Sequence, residues 1–395
     1  MSELPLAVDL SFQHIQLELA RLDILLHRQI ERFQRSQTPP ESEGPLSLYH
    51  MTAGQALALL QRPFGHGPAE LSAAEEAPYA DALADVEREI AALVAHAEAL
   101  GQPLRLQRLA LLLGLDRFAL DVFLISLAPQ LDARYGKVYA FLQDDLTRRR
   151  PSLNLALDLL CDPQPERLLQ LAHFRDEAPL LRQRLISLEA EPGSYRQPPV
   201  EMGLFPDTAV VNWVLLGQYQ PPAALKGHLH LAAMPQPDLN LLPPQTAVSI
   251  APLAASEEIL LLCGRDELAQ ETAAKMLARL GQRPLLSLHL KTALAQEIPA
   301  LEAVRLLLRD ALLLNAIPHV TGWDHTLVDG APVPELLAAL WAHPGMVLIA
   351  GEKAWQPQQL ARTRRLRRLE FDLPDTGQRQ HLLTYFVNGD LGDSG

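Results

Sequence analysis

Across residues 10–33 the apolar positions Phe12, Ile15, Leu19, Leu22, Leu26, Ile30 and Phe33 recur every three or four residues, the spacing that lines one stripe of a helix. Glu18, Arg21, Arg28, Glu31 and Arg32 fall on the opposite face. Such a stripe suits either a short coiled-coil seam or a helix packed on its own domain. The polar run 34–45 (QRSQTPPESEGP) then predicts a flexible linker, so residues 1–45 read as a helix with its linker.

Residues 46–218 carry a helical pattern almost throughout. Helices are predicted over 75–100, with Val86, Ile90, Leu93 and Ala97 in register, and over 104–113, stopped by Gly114. Asp116 is the expected N-cap of a helix over 118–127 that ends before Pro129. Two more follow over 132–149 and 151–160, the second opened by Pro151. Short helices with tight turns between them match a helix-turn-helix or winged-helix core, which serves DNA contact or protein contact.

After a Pro-rich connection over 219–256 the period changes. Strands are predicted at 259–263, 284–290, 318–323, 346–350 and 369–373, alternating with helices that end near 280 or span 297–314, 333–342 and 375–386. That alternation predicts a parallel sheet with flanking helices over 257–388, followed by a polar tail at 389–395. The fold class is therefore an α/β C-terminal domain behind a mostly α-helical, winged-helix-like N-terminal region.

A strand that runs through a glycine into a helix is the setting of a phosphate-binding loop, which makes Gly264 and Thr272 the candidate nucleotide contacts. Such a loop needs glycines for close backbone approach, a lysine for the β/γ-phosphates and a Ser or Thr for Mg²⁺. In GRDELAQET, Ala269 replaces the last glycine, Gln270 the lysine and Glu271 the Ser/Thr, with Thr272 one residue late. The carboxylates of Asp266, Glu267 and Glu271 stand where a triphosphate would sit and would repel it. On the metal side, the strand expected to end in an Mg²⁺-binding acid ends in Thr321, with Asp324 three residues on. The next strand runs into Gly351 and Glu352, a polar residue where an active enzyme orients water. The loop is therefore expected to be a remnant, with no cofactor; ATP and Mg²⁺ are the cofactors if it is not. Lys275 and Lys291 lie near the loop but off the lysine position and are read as surface residues.

Composition narrows the rest. With 395 residues, 48% hydrophobic and 21% charged, the chain suits two or three globular domains. A net charge of -13 disfavours a general nucleic-acid binder. The run Arg148, Arg149, Arg150 sits among Asp144, Asp145 and Asp158 and fits a solvated helix end, a protein interface or DNA backbone contact. Cys161 and Cys263 are the only cysteines and form no CxxC, which fits a reducing compartment. His228 and His230 make an isolated HxH without a third ligand. No Gly-x-Ser-x-Gly occurs. No run approaches eighteen apolar residues and the first residues lack a basic n-region, so no membrane span or secretory signal is expected and a cytoplasmic location is.

The stretch 104–160, above all LDARYGKVYAFLQDDLTRRRPS, resembles the winged-helix region of a group of bacterial AAA-type ATPases often encoded with extracellular contractile injection systems. The resemblance continues through PPVEMGLFPDTAVVNWVLLG (198–217) and the α/β region to FDLPDTGQRQHLL (371–383). It implies a P-loop NTPase-like fold and two tandem AAA modules, of which this chain carries the first, degenerate one. It also implies a role for Arg362, Arg364, Arg365, Arg367 and Arg368, because AAA rings supply arginines to a neighbouring subunit's phosphate site. The leading expectation is a non-catalytic AAA-like protein acting through protein contacts in assembly or regulation of an injection system. The alternatives are the N-terminal part of an active ATPase whose catalytic module lies beyond residue 395, and a winged-helix DNA-binding regulator. A monomer or small nucleotide-independent oligomer is expected, with any self-association running through 10–33 or through the arginines. Membranes are not expected as partners, and nucleic acid is disfavoured.

Overall fold

A computed structural model describes residues 9–36, 57, 60, 70–161, 166–190, 196–357 and 364–389. The chain forms two compact units, one up to Gln220 and one from Pro221.

The first unit runs α1 (Leu10–Ser36), α2 (Ala73–Ala99), α3 (Arg105–Leu113), α4 (Arg117–Leu131), α5 (Ala133–Leu142), α6 (Leu153–Leu160), α7 (Glu166–Gln170), α8 (Pro179–Arg182), β1 (Ile186–Glu189), β2 (Gly203–Pro206) and α9 (Thr208–Leu216). The first helix extends through residues 34–36, and the remainder of the expected linker, 37–45, lies outside the described residues. Ile15, Leu22 and Leu26 of the stripe are buried among α3–α6, and α2 lies along the helix as well. Phe12, Leu19, Ile30 and Phe33 of the same stripe are half-buried.

Glu18 and Arg21, expected on the exposed face, are only 1% and 8% exposed. The reason lies about a hundred residues away on α4. Arg117 donates to both Glu18 oxygens (2.8 and 2.5 Å), and Arg21 pairs with Asp121. Burial alone would raise the Glu18 pKa, but the bonded Arg117 guanidinium, with Arg21 and His14, brings it below the usual range. Burial wins at Asp121, whose pKa is raised despite Arg21 and Arg117.

Asp116 caps α4 as expected, accepting from Ala119 N at 2.8 Å. The helix does not stop before Pro129, however, but runs to Leu131. A proline there leaves the carbonyl four residues earlier without its helical donor. That carbonyl, Ile125 O, accepts instead from the buried Tyr139 hydroxyl at 3.0 Å. Helix α5 is shorter than expected, ending at Leu142. The three arginines lie in the turn beyond it, where Gln143 donates to the carbonyls of Arg148 (3.1 Å) and Arg150 (2.9 Å).

The second unit contains β3 (Leu229–Ala232), α10 (Pro244–Ile250), β4 (Ile259–Cys263), α11 (Glu267–Leu280), β5 (Leu285–His289), α12 (Leu290–Ala295), α13 (Ala300–Leu314), β6 (Ile317–Thr321), β7 (Leu327–Val328), β8 (Ala331–Pro332), α14 (Pro334–Ala342), β9 (Val347–Gly351), β10 (Leu366–Glu370) and α15 (Thr376–Gly389). Its sheet has the order β10-β4-β9-β6-β5-β3, parallel throughout except for β3. Ile259–Cys263 is buried at all five positions, as befits a parallel strand covered on both faces. Leu260, Leu262, Leu285, Ile317 and Leu348 form a core with Ala273, Ala274 and Leu277 of α11. Part of the expected Pro-rich connection therefore belongs to this unit, supplying the antiparallel edge strand β3 and helix α10.

Candidate functional site

In open α/β sheets, ligands bind beyond the carboxyl ends of the strands where the chain's winding reverses. Here that point lies between β4, which leads away to β5, and β9, which leads back to β10. Gly264 follows β4 with φ of +135°, and a Cβ at this position would lie 2.0 Å from Phe371 O. Only glycine fits, but the closeness serves the protein's own backbone. Gly264 N donates to Gly351 O (3.1 Å), and Asp266 N to Phe371 O (3.2 Å). Asp266 caps α11 by accepting from Ala269 N at 3.0 Å, and Gln270 N donates to Asp266 O at 3.1 Å. Four N–H groups of the turn and first helical residues are thus bonded internally.

Gln270, at the lysine position, is 3% exposed. Its Nε2 donates to Gly264 O at 2.9 Å and reaches Gly351 O at 3.4 Å, spanning the ends of β4 and β9. Thr272 is buried as well, and its hydroxyl donates back to Leu268 O at 2.8 Å. Gly264 and Thr272 therefore flank one helix start, each engaged with the protein's own backbone. Glu271, in the Ser/Thr position, points outward and pairs with Lys275 at 2.7 Å.

Asp324 lies off the end of β6. Gly322, with φ of +71°, turns the chain into a 3₁₀ helix over Trp323–Thr326. That turn sends the Asp324 carboxylate to the end of β9, where it accepts from Glu352 N at 2.6 Å and Lys353 N at 2.8 Å. Sequence spacing marked Asp324 as displaced from a metal-holding position; the left-handed glycine before it was the available sign that it turns back.

Arg362 lies outside the described residues. Arg364 donates to the carbonyls of His343, Glu257 and Gly345. Arg367 pairs with Glu258 at 2.7 Å, and Arg368 with Glu370 at 2.6 Å and Cys263 Sγ at 3.3 Å. Arg365 is exposed. Among the described residues no group of three His, Cys, Asp or Glu side chains is placed to hold a metal, and no helix is long and apolar enough to cross a membrane.

The first unit carries a second candidate surface. Residues 151–153 run beside 202–204: Leu204 N donates to Pro151 O at 2.8 Å, Leu153 N to Met202 O at 3.0 Å, and Ser152 bridges Gly203. Then come α6, α7, α8 and the antiparallel hairpin β1–β2. The connectivity is short strand, helices, strand, loop, strand. The family model described as "Winged helix domain, variant" matches residues 9–228, more than half of the chain.

The chain belongs to that family. No curated protein matches it.

In the winged-helix unit, the hairpin is braced by the arginine run. The Arg150 guanidinium stacks 3.8 Å from the Phe205 ring centroid, and Arg148 donates to Glu201 O at 3.2 Å. From α7 through the wing, residues 166–206 hold Arg167, Arg175, Arg182, Arg184 and Arg196 against six carboxylates. A duplex-binding wing would present net positive charge to phosphates. Arg167 is also bound to Asp158 (2.5 Å) and Asn154 (2.5 Å), while Leu168 and Leu169 beside it are 46% and 69% exposed.

Proposed function

We propose that this protein is a non-catalytic, AAA-like member of the winged-helix family that works through protein contacts. The observation carrying this reading is the Gln270 side chain spanning Gly264 O and Gly351 O. A nucleotide site needs a cation and free N–H groups at this point; here a neutral amide fills it, and the N–H groups of Gly264, Asp266, Ala269 and Gln270 are bonded within the protein. The order of the five parallel strands, counted along the chain, is 5-1-4-3-2, the order expected of an AAA-type P-loop module, and supports kinship with that fold. The resemblance of 104–160 and 198–217 to ATPases encoded with contractile injection systems points to assembly or regulation of such a particle as the setting. The exposed Leu168 and Leu169 and the balanced charge of the wing favour a protein partner over DNA.

Isothermal titration with ATP·Mg²⁺ tests the reading. No heat of binding is expected up to millimolar nucleotide. Micromolar binding would overturn it and restore ATP and Mg²⁺ as cofactors.

A further inference from the structure

The Asp324 carboxylate sits as a bound anion would. Each of its oxygens accepts one backbone N–H at the end of β9, Oδ2 from Glu352 (2.6 Å) and Oδ1 from Lys353 (2.8 Å). Successive N–H groups turned toward one point form a nest for a negatively charged group. The floor of this nest is Gly351, where a Cβ would lie 2.7 Å from Oδ2 and 3.2 Å from Cγ. The same glycine's carbonyl accepts from Gly264 N and is reached by Gln270 Nε2. Asp324 thus presses on one side of the Gly351 backbone while the turn after β4 is tied to the other. The residue arrives there because Gly322 takes a left-handed conformation and Trp323, fully buried and 5.8 Å from the Trp355 ring, anchors the 3₁₀ turn.

We infer that the end of β9 is an anion site for a small oxyanion, filled by the chain's own Asp324 as a permanent internal ligand that latches the turn after β6 to β9. Two N–H donors, a cradle that only glycine leaves open and a carboxylate seated in it carry the inference. It is independent of the pseudo-ATPase reading: nucleotide binding elsewhere in the crevice would sink that reading and leave the latch intact.

The experiment removes the internal anion and offers an external one. Asp324→Ala in the full chain is expected to lower the thermal midpoint by roughly 3–8 °C, since each kcal/mol shifts it by about 2–4 °C in a domain of 150–250 residues. Inorganic phosphate at millimolar concentration should then restore at least half of the loss, and sodium chloride of equal ionic strength should not. The wild-type chain should gain no more from phosphate than from chloride. Gly351→Ala crowds the nest against any oxyanion, so it should be destabilised and not rescued. If Asp324→Ala fails to fold, Asp324→Asn, which keeps one acceptor oxygen, takes its place, with amide exchange at Glu352 and Lys353 as the readout: exchange should quicken and phosphate should slow it again. Loss without phosphate rescue in the Asp324 variants would reduce Asp324 to an ordinary turn cap and overturn the proposal, as would wild-type protein responding to phosphate like the variant.

Discussion

The Tyr139 hydroxyl donates to the Ile125 carbonyl at 3.0 Å, the one carbonyl that Pro129 cannot serve. A side chain from α5 thereby completes the ladder of α4. Tyr139→Phe should destabilise the winged-helix unit by about 1–3 kcal/mol, the cost of a buried acceptor left without a donor. Because Pro129→Ala returns the helical donor, the double variant should lose less than Tyr139→Phe alone. Urea unfolding of the four proteins checks this, and additive losses would show that the two residues are not coupled.

Glu18 and Arg117 form the second long-range tie. Glu18→Gln leaves the half-exposed Arg117 and the buried Arg21 and Asp121 unevenly paired, and should cost about 1–3 kcal/mol, less than a fully buried pair because Arg117 keeps a face to water. Replacing the group by apolar residues, as in Glu18→Leu, Arg21→Met, Arg117→Met, Asp121→Leu, should cost less than the single change. Chemical denaturation decides; a loss below about 1 kcal/mol for Glu18→Gln would show that solvent at Arg117 screens the whole network.

In the second unit, Gly264→Ala meets both the +135° φ and the Phe371 carbonyl at 2.0 Å. A loss of about 3 kcal/mol or more is expected, enough to leave little folded unit. Gln270→Leu keeps the volume but strips the donor, and should cost about 1–3 kcal/mol. Circular dichroism melts would refute the closed-crevice geometry if either variant matched wild type.

Burial holds His319 and His343 at pKa values of about 4. The unfolded chain binds protons on both below about pH 6.5, while the folded chain does so only near 4, so stability falls as pH drops through that window. Each histidine should account for roughly 2 kcal/mol between pH 6.5 and 5. His319→Asn should flatten the dependence measured by denaturant titration at a series of pH values, and an unchanged slope would count against it.

The wing offers a direct test of the DNA alternative. A mobility shift at low salt should show no binding steeper than that of any acidic protein, and a strongly salt-dependent complex would favour the regulator reading.

The alternating core of the second unit was legible because buried parallel strands are continuous apolar runs: Ile259–Cys263 and Val347–Gly351 announce themselves. Strand β3 did not, since LHLA is short, interrupted by His230 and flanked by prolines, and it joins the sheet only by pairing with β5. The wing strands were likewise hidden among residues that read as helical. Glu18 and Arg21 look solvated because their partners stand about a hundred positions away. At the crevice, the missing lysine and Ser/Thr could be read from spacing, whereas the Gln270 bridge and the turned-back Asp324 depend on contacts between elements that no local window contains.

The antiparallel β3 also guards the sheet against its own kind. It occupies the outer hydrogen-bonding groups of β5 (LLSLH), a stretch that would otherwise offer a ready template to any passing chain. A truncation begun at residue 257, the expected start of the α/β domain, would uncover that template. Such a fragment should stack into insoluble aggregates while one begun at residue 221 stays dispersed.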